Sequence, residues 1–225
     1  MQSQLSQLRL YQLTSPSLPI GSFTYSQGME WAVENEWIHD PESLSLWLES
    51  LLDSSLTWLD LPILLRLLKA CHADDSDQFA YWSQYLLACR ETHELRQEEI
   101  NRSRALLAVL NKLTDWPELK AWRPALLKSQ ISGFTLATKH WNIHEQEALN
   151  GYLWSWLENS VTVAVKLIPL GQSDGQIVLH SLCEKIPKLI EQATNIKDEE
   201  IGASTPALAI ASSLHETQYT RLFRS

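Results

Sequence analysis

Glycine is scarce in this chain, with seven among 225 residues, about 3% where ~7% is usual. That leaves little material for the tight turns of a β-sandwich or the phosphate loops of a doubly wound sheet. No glycine is followed by lysine, and G-x-G-x-x-G does not occur. Both common phosphate-cradling routes to nucleotide are therefore excluded. The three cysteines, Cys71, Cys89 and Cys183, are odd in number and widely spaced. They give no disulfide framework and suit a reducing compartment. No stretch approaches 18 uninterrupted apolar residues; residues 59–68 are broken by Asp60, Pro62 and Arg66, so no membrane span is expected. The first residues lack a basic region followed by an apolar run, so no signal peptide is read and a cytoplasmic location is expected. A net charge of −9 argues against a nucleic-acid binder.

What the chain has in abundance is leucine: 39 against 19 valines and isoleucines together. γ-Branched residues suit helices and β-branched ones suit strands, so the composition points to an all-α fold. A chain of this length buries about 70% of its unfolded surface without staples. The spacing predicts one helical domain over residues 1–225, a bundle of about eight to ten helices. Residues 1–21, with Pro16 and Pro19, read as an extended N-terminal segment. A helix is expected from 22 to 37, with Gly28 inside it at a cost of about 1 kcal/mol against alanine. That cost points to close helix packing at Gly28. Asp40-Pro41 is a strong helix start, followed by a stripe through Leu44, Leu48, Leu51, Leu52, Leu56 and Leu59; Pro62 kinks or restarts it. Residues 90–104 carry four Arg and four Glu and read as a solvated helix face. Asp115 and Glu118 have capping-box spacing. A long helix from Glu145 ends at Pro169-Leu170-Gly171, and a loop at 171–176 precedes the next helix.

Two chemical readings compete with a purely structural one. Gly171-Gln172-Ser173-Asp174-Gly175 matches G-x-S-x-G, the serine-hydrolase elbow. The helical stripe before it, the intervening Pro169-Leu170 and the lack of upstream strands argue against the sheet an elbow requires. Cys71-His72 lies near Asp74, Asp75 and Asp77, a mixed donor set for a late transition metal, but no second Cys or His stands at zinc-site spacing. His93-Glu94, His144-Glu145 and His215-Glu216 all lack the second His of H-E-x-x-H and read as surface or capping residues. No catalytic residue, metal ligand or tightly bound cofactor is assigned.

Four blocks then stand out: residues 13–30 (LTSPSLPIGSFTYSQGME), 90–96 (RETHELR), 166–176 (KLIPLGQSDGQ) and 215–225 (HETQYTRLFRS). In this order they resemble the urease accessory protein F family (UreF), helical chaperones of nickel insertion. One departure is Met29, where leucine is common; the swap conserves volume. The resemblance implies a non-enzymatic homodimer that binds UreD (also called UreH), recruits and modulates the GTPase UreG, and engages apo-urease, with nickel handled by the complex. It places Tyr25, Glu30, Lys166, Gln172, Asp174 and Gln176 on the UreG side. The tail, residues 218–225, is expected to meet UreD/UreH through Tyr219, Arg221, Leu222, Phe223 and Arg224, residue types that dominate interface hot spots. A tail without core contacts of its own is expected to be mobile when free.

Overall fold

The computed structural model describes residues 4–225, and among them there are helices and no strands. The helices are α1 (Gln4–Thr14), α2 (Met29–Glu34), α3 (Pro41–Leu51), α4 (Leu61–His72), α5 (Ser76–Cys89), α6 (His93–Leu113), α7 (Glu118–Ala121), α8 (Arg123–Leu126), α9 (Gln130–His140), α10 (Glu145–Leu167), α11 (Gln172–Cys183), α12 (Ile186–Thr194) and α13 (Pro206–His215). α7 and α8 are single turns. α3 and α4 are joined without a break by a π-helical stretch, Leu52–Asp60. Counting that rod once and setting the two single turns aside leaves ten of the thirteen α segments, in keeping with the expected all-α bundle.

The rod begins as its sequence dictates. Asp40 caps α3 by accepting the Ser43 N–H (2.8 Å), and the Ser43 hydroxyl oxygen accepts the Asp40 N–H in return (3.1 Å). Pro62 restarts the rod, one of the two outcomes expected of it: it sits at the opening of α4, directly after the π turns. Thr57 marks the change of pitch, its hydroxyl donating to the Leu52 carbonyl five residues back (2.6 Å).

Two helices form the centre. α4 buries Leu61, Ile63, Leu64, Leu67, Leu68 and Cys71 almost completely, and α9 is buried from Ile131 to Thr138. A helix apolar or buried all round must be wrapped by others, and α5, α6, α10 and α12 do the wrapping. The threonine hydroxyls on α9 are satisfied locally, Thr135 and Thr138 donating to the Ile131 and Phe134 carbonyls (2.8 and 2.9 Å), while Ser132 pairs with Ser83 of α5 (2.7 Å). Each enclosed leucine contributes about 1.5–3 kcal/mol of transfer free energy, set against the entropy of ordering the chain.

Three local expectations change. Residues 4–14 are helical, not extended; Leu10, Leu13 and Thr14 pack toward α10, where Gly151 leaves room for the Leu10 side chain. The prolines at 16 and 19 follow this helix and end it. The expected helix over 22–37 is instead a 3-10 turn (Ser22–Thr24) and the short α2, because Gln27 and Gly28 adopt left-handed backbone angles. The Asp115–Glu118 capping box does not form. α7 starts from Pro117 with no side-chain cap, and Ser129 caps the separate α9.

Candidate partner-facing surfaces

The loop expected at 171–176 is mostly the first turn of α11. Gln172, Ser173, Asp174 and Gln176 are all exposed, while Gly175 is buried where a Cβ would lie 2.7 Å from the Val165 side chain. Glycine therefore lets α11 lie against the end of α10. At that end Lys166 is exposed, with its ammonium 5.7 Å from the ring centre of Phe23, itself about half exposed. Lys166, Gln172, Asp174 and Gln176 thus occupy neighbouring positions on two packed helices. Ser173 has no elbow to stand on: a helix precedes it, and His180 lies two turns further along the same helix, turned to solvent.

Tyr25 and Glu30 do not share that surface. Tyr25 is buried beside α10, and Glu30 is buried under the C-terminal residues. Glu30 accepts the Leu222 N–H (2.6 Å) and the Phe223 N–H (3.0 Å). The tail expected to lack core contacts is in fact docked. Phe223 is in the core, Arg224 N–H donates to the Thr24 carbonyl (2.8 Å), and Ser26 N–H and hydroxyl both donate to the Ser225 carbonyl. Arg221 pairs with Glu94 (2.7 Å). The outer face of the tail carries Tyr219, Arg221, Leu222 and Arg224, all exposed. Gly28 lets α13, which leads into the tail, lie close: a Cβ there would lie 2.7 Å from Ser212 N and 3.0 Å from the Ala211 carbonyl carbon. The close approach read at Gly28 is therefore between α2 and α13 of the same chain.

Sequence reasoning missed the residues beneath the dock. The charged run 90–104 is not a solvated face, for Arg90, Glu94, Glu98, Glu99 and Arg102 turn inward. Arg90 donates to both oxygens of Asp60 (2.7 and 3.0 Å) and twice to Glu99 (2.6 and 3.0 Å). Tyr152 hydroxyl adds a bond to Asp60 (2.9 Å), and Ser129 hydroxyl and Gln130 N–H donate to Glu99 (3.0 and 3.2 Å). Burial opposes the Arg90 charge, but Asp60 and Glu99 outweigh it and hold the guanidinium well above its usual range. Burial and the same two carboxylates raise the Tyr152 phenol. Glu98 bonds Arg102 (2.9 Å), Gln27 (3.0 Å) and Ser225 (3.2 Å), linking this network to the tail. A signal was present. Between 90 and 104 Leu95 and Ile100 are the only apolar residues, too few for the core-facing side of a helix this long, so some charges had to turn inward.

His215 is also inside, against the expectation of a surface or capping residue, whereas His144 does cap α10. The Cys71 cluster is no donor set. Cys71 is fully buried, its thiol pushed up to about 12 by burial, and Asp74 is paired with Lys139. Among the described residues no group of three or more His, Cys, Asp or Glu could hold a metal ion, and no helix is long and apolar enough to cross a membrane.

Comparison with known proteins decides the family. The UreF family model matches residues 38–183. The chain belongs to the UreF family. A protein named urease accessory protein UreF from Alcanivorax borkumensis is 58% identical over 222 residues, covering 96% of this chain and 97% of its own length. One of the same name from Pseudomonas putida W619 is 49% identical over 227 residues and all of both chains. Another from Hahella chejuensis is 44% identical, covering 98% of this chain and 99% of its own.

Proposed function

We propose that this chain is a non-enzymatic accessory protein of urease maturation, acting in the cytoplasm as a homodimer that joins other proteins in the delivery of nickel to apo-urease. The observation that carries the reading is family membership extending over the whole chain, with relatives that bear the name urease accessory protein UreF. In this reading the α10–α11 corner, with Lys166, Gln172, Asp174 and Gln176, meets the GTPase UreG. The outer face of the tail, Tyr219, Arg221, Leu222 and Arg224, meets UreD/UreH. Tyr25, Glu30 and Phe223 act from beneath, by fixing the backbone that presents those faces; rigid support lowers the ordering cost of binding. Nickel is cargo of the assembled complex and no cofactor belongs to this chain.

The test is co-expression of apo-urease and its accessory proteins with and without this chain, reading nickel content and urease activity. Loss of both without the chain is the expected result. Full nickel loading in its absence would overturn the proposal.

A further inference from the structure

His215, on the last turn of α13, has no solvent exposure. Its Nδ1 lies 2.7 Å from Glu94 Oε2 and its Nε2 lies 3.1 Å from Glu30 Oε2. A carboxylate only accepts, and a neutral imidazole carries a single N–H. With one N–H the ring satisfies one carboxylate and turns a lone pair toward the other. A proton on each ring nitrogen satisfies both.

The charges around the ring fit the doubly protonated form. α2 contributes Glu30 and α6 contributes Glu94; the tail contributes Arg221, on the far oxygen of Glu94. Two negative carboxylates are then matched by an imidazolium and a guanidinium. The neighbouring Glu216 on α13 is directed elsewhere, accepting the His93 and Glu94 N–H groups (2.9 and 3.2 Å) at the start of α6. Glu98, one turn along α6, is occupied by Arg102, Gln27 and Ser225. The remaining polar contact between α13 and α6 is uncharged, Ser212 with Thr92 (2.7 Å).

Both carboxylates that grip the ring also grip the tail: Glu30 through the Leu222 and Phe223 N–H groups, and Glu94 through Arg221. We propose that doubly protonated His215 is a latch holding residues 221–223 on the body, and that loss of one ring proton releases them. The dock is kept while the ring carries its second proton and is given up as pH rises through the ring's titration. Removal of that proton leaves a lone pair against a carboxylate and one uncompensated negative charge in a closed space, which favours opening. The latch stands on the geometry alone; its bearing on UreD/UreH binding rests on the function proposed above.

The test uses the full chain with 15N-labelled histidine. Ring nitrogen shifts of His215 and exchange protection of the Leu222 and Phe223 amides are followed together from about pH 5.5 to 8.5, the range in which imidazoles titrate. Two protonated ring nitrogens are expected at the acid end. As the second proton leaves, protection of both amides should fall at least tenfold, while amides within α4 keep theirs. His215→Gln, which donates from a single nitrogen and carries no charge, should show the lowered protection at every pH. A ring with one bare nitrogen beside fully protected amides would overturn the proposal. So would a ring that titrates with protection unchanged, or one that keeps both protons until the whole chain unfolds. Because the wild-type titration needs no variant, a poorly folding His215→Gln leaves the proposal testable. Nor does it depend on the urease reading, since nickel loading is not measured.

Discussion

Arg90→Met offers the most demanding test of how this fold is held together. The guanidinium makes four hydrogen bonds, two to Asp60 and two to Glu99, and has only 15% side-chain exposure. Methionine fills a similar volume without charge, so the change isolates the loss of partner from the creation of a cavity. Breaking a buried pair by removing one partner costs about 3–5 kcal/mol, because a charge is left uncompensated. Here two carboxylates are stranded, which pushes toward the upper end. Each keeps some support, Asp60 from Tyr152 and Glu99 from Ser129 and Gln130, which pulls back. An expected loss of about 4 kcal/mol is a large part of the ~5–15 kcal/mol available to a domain. The assay is urea unfolding by far-UV circular dichroism, with slope and midpoint both fitted. The combined change Asp60→Asn, Arg90→Met, Glu99→Gln should recover most of the loss, since no buried charge then lacks a partner. A single Arg90→Met variant within about 1 kcal/mol of wild type would refute the reasoning, because a surface pair is worth no more than that.

Adjacent glutamates on α6 should respond to neutralisation in opposite ways. Burial pushes the Glu99 carboxyl up, but Arg90 and Arg102 outweigh it and the group ends below its ordinary range, so its stabilisation is present above the unfolded value and lost as pH falls through the folded one. For Glu98 burial wins and the group lies above its ordinary range, so its charge costs stability at neutral pH and that cost fades on acidification. Unfolding free energies at pH 7 should therefore drop by about 2 kcal/mol for Glu99→Gln and change little or rise for Glu98→Gln; the reverse order would contradict the assignment. Gly28→Ala must place a Cβ in left-handed backbone against Ser212, and a loss of about 2 kcal/mol or more in thermal or urea unfolding is expected. Lys166→Glu should leave the melting temperature unchanged, since the side chain is exposed, yet reduce UreG capture in the presence of UreD/UreH; undiminished capture would remove Lys166 from that surface. Ser173→Ala should alter neither stability nor urease activation.

Most of the helices were legible because their signals are local. Asp40-Pro41, the stripe from Leu44 to Leu59 and the stop at Pro169-Leu170-Gly171 need only cap chemistry and a 3.6-residue period. The departures arise where distant contacts override them. Gln27 and Gly28 leave helical angles because α13 lies against Gly28, and no rule of local spacing contains that neighbour. The tail read as free because its own sequence shows no periodic core face; its partners, Ser26, Glu30, Glu94 and Glu98, are more than a hundred residues away in sequence. Charges at 90–104 read as solvated because charged residues are nearly always outside. Here they pair with Asp60 from the π stretch, and nothing in the linear order announces that pairing. Of the candidate surface residues, Lys166, Gln172, Asp174 and Gln176 are exposed at the end of α10 and the start of α11, whereas Glu30 joins the tail.

The π-helical stretch from Leu52 to Asp60 has an implication for how this protein tolerates change in length. Wide turns accommodate a surplus residue relative to an α-helix of the same rise. Deleting a single residue there would let the rod relax toward ordinary pitch while the helices on either side keep their phase. Trimming one residue from α3 or from α4 would instead turn everything beyond the cut by about 100°, and the apolar side of Leu61–His72 would swing away from the centre. Within the rod, natural length variation should therefore fall in the π stretch and spare the α-helical segments.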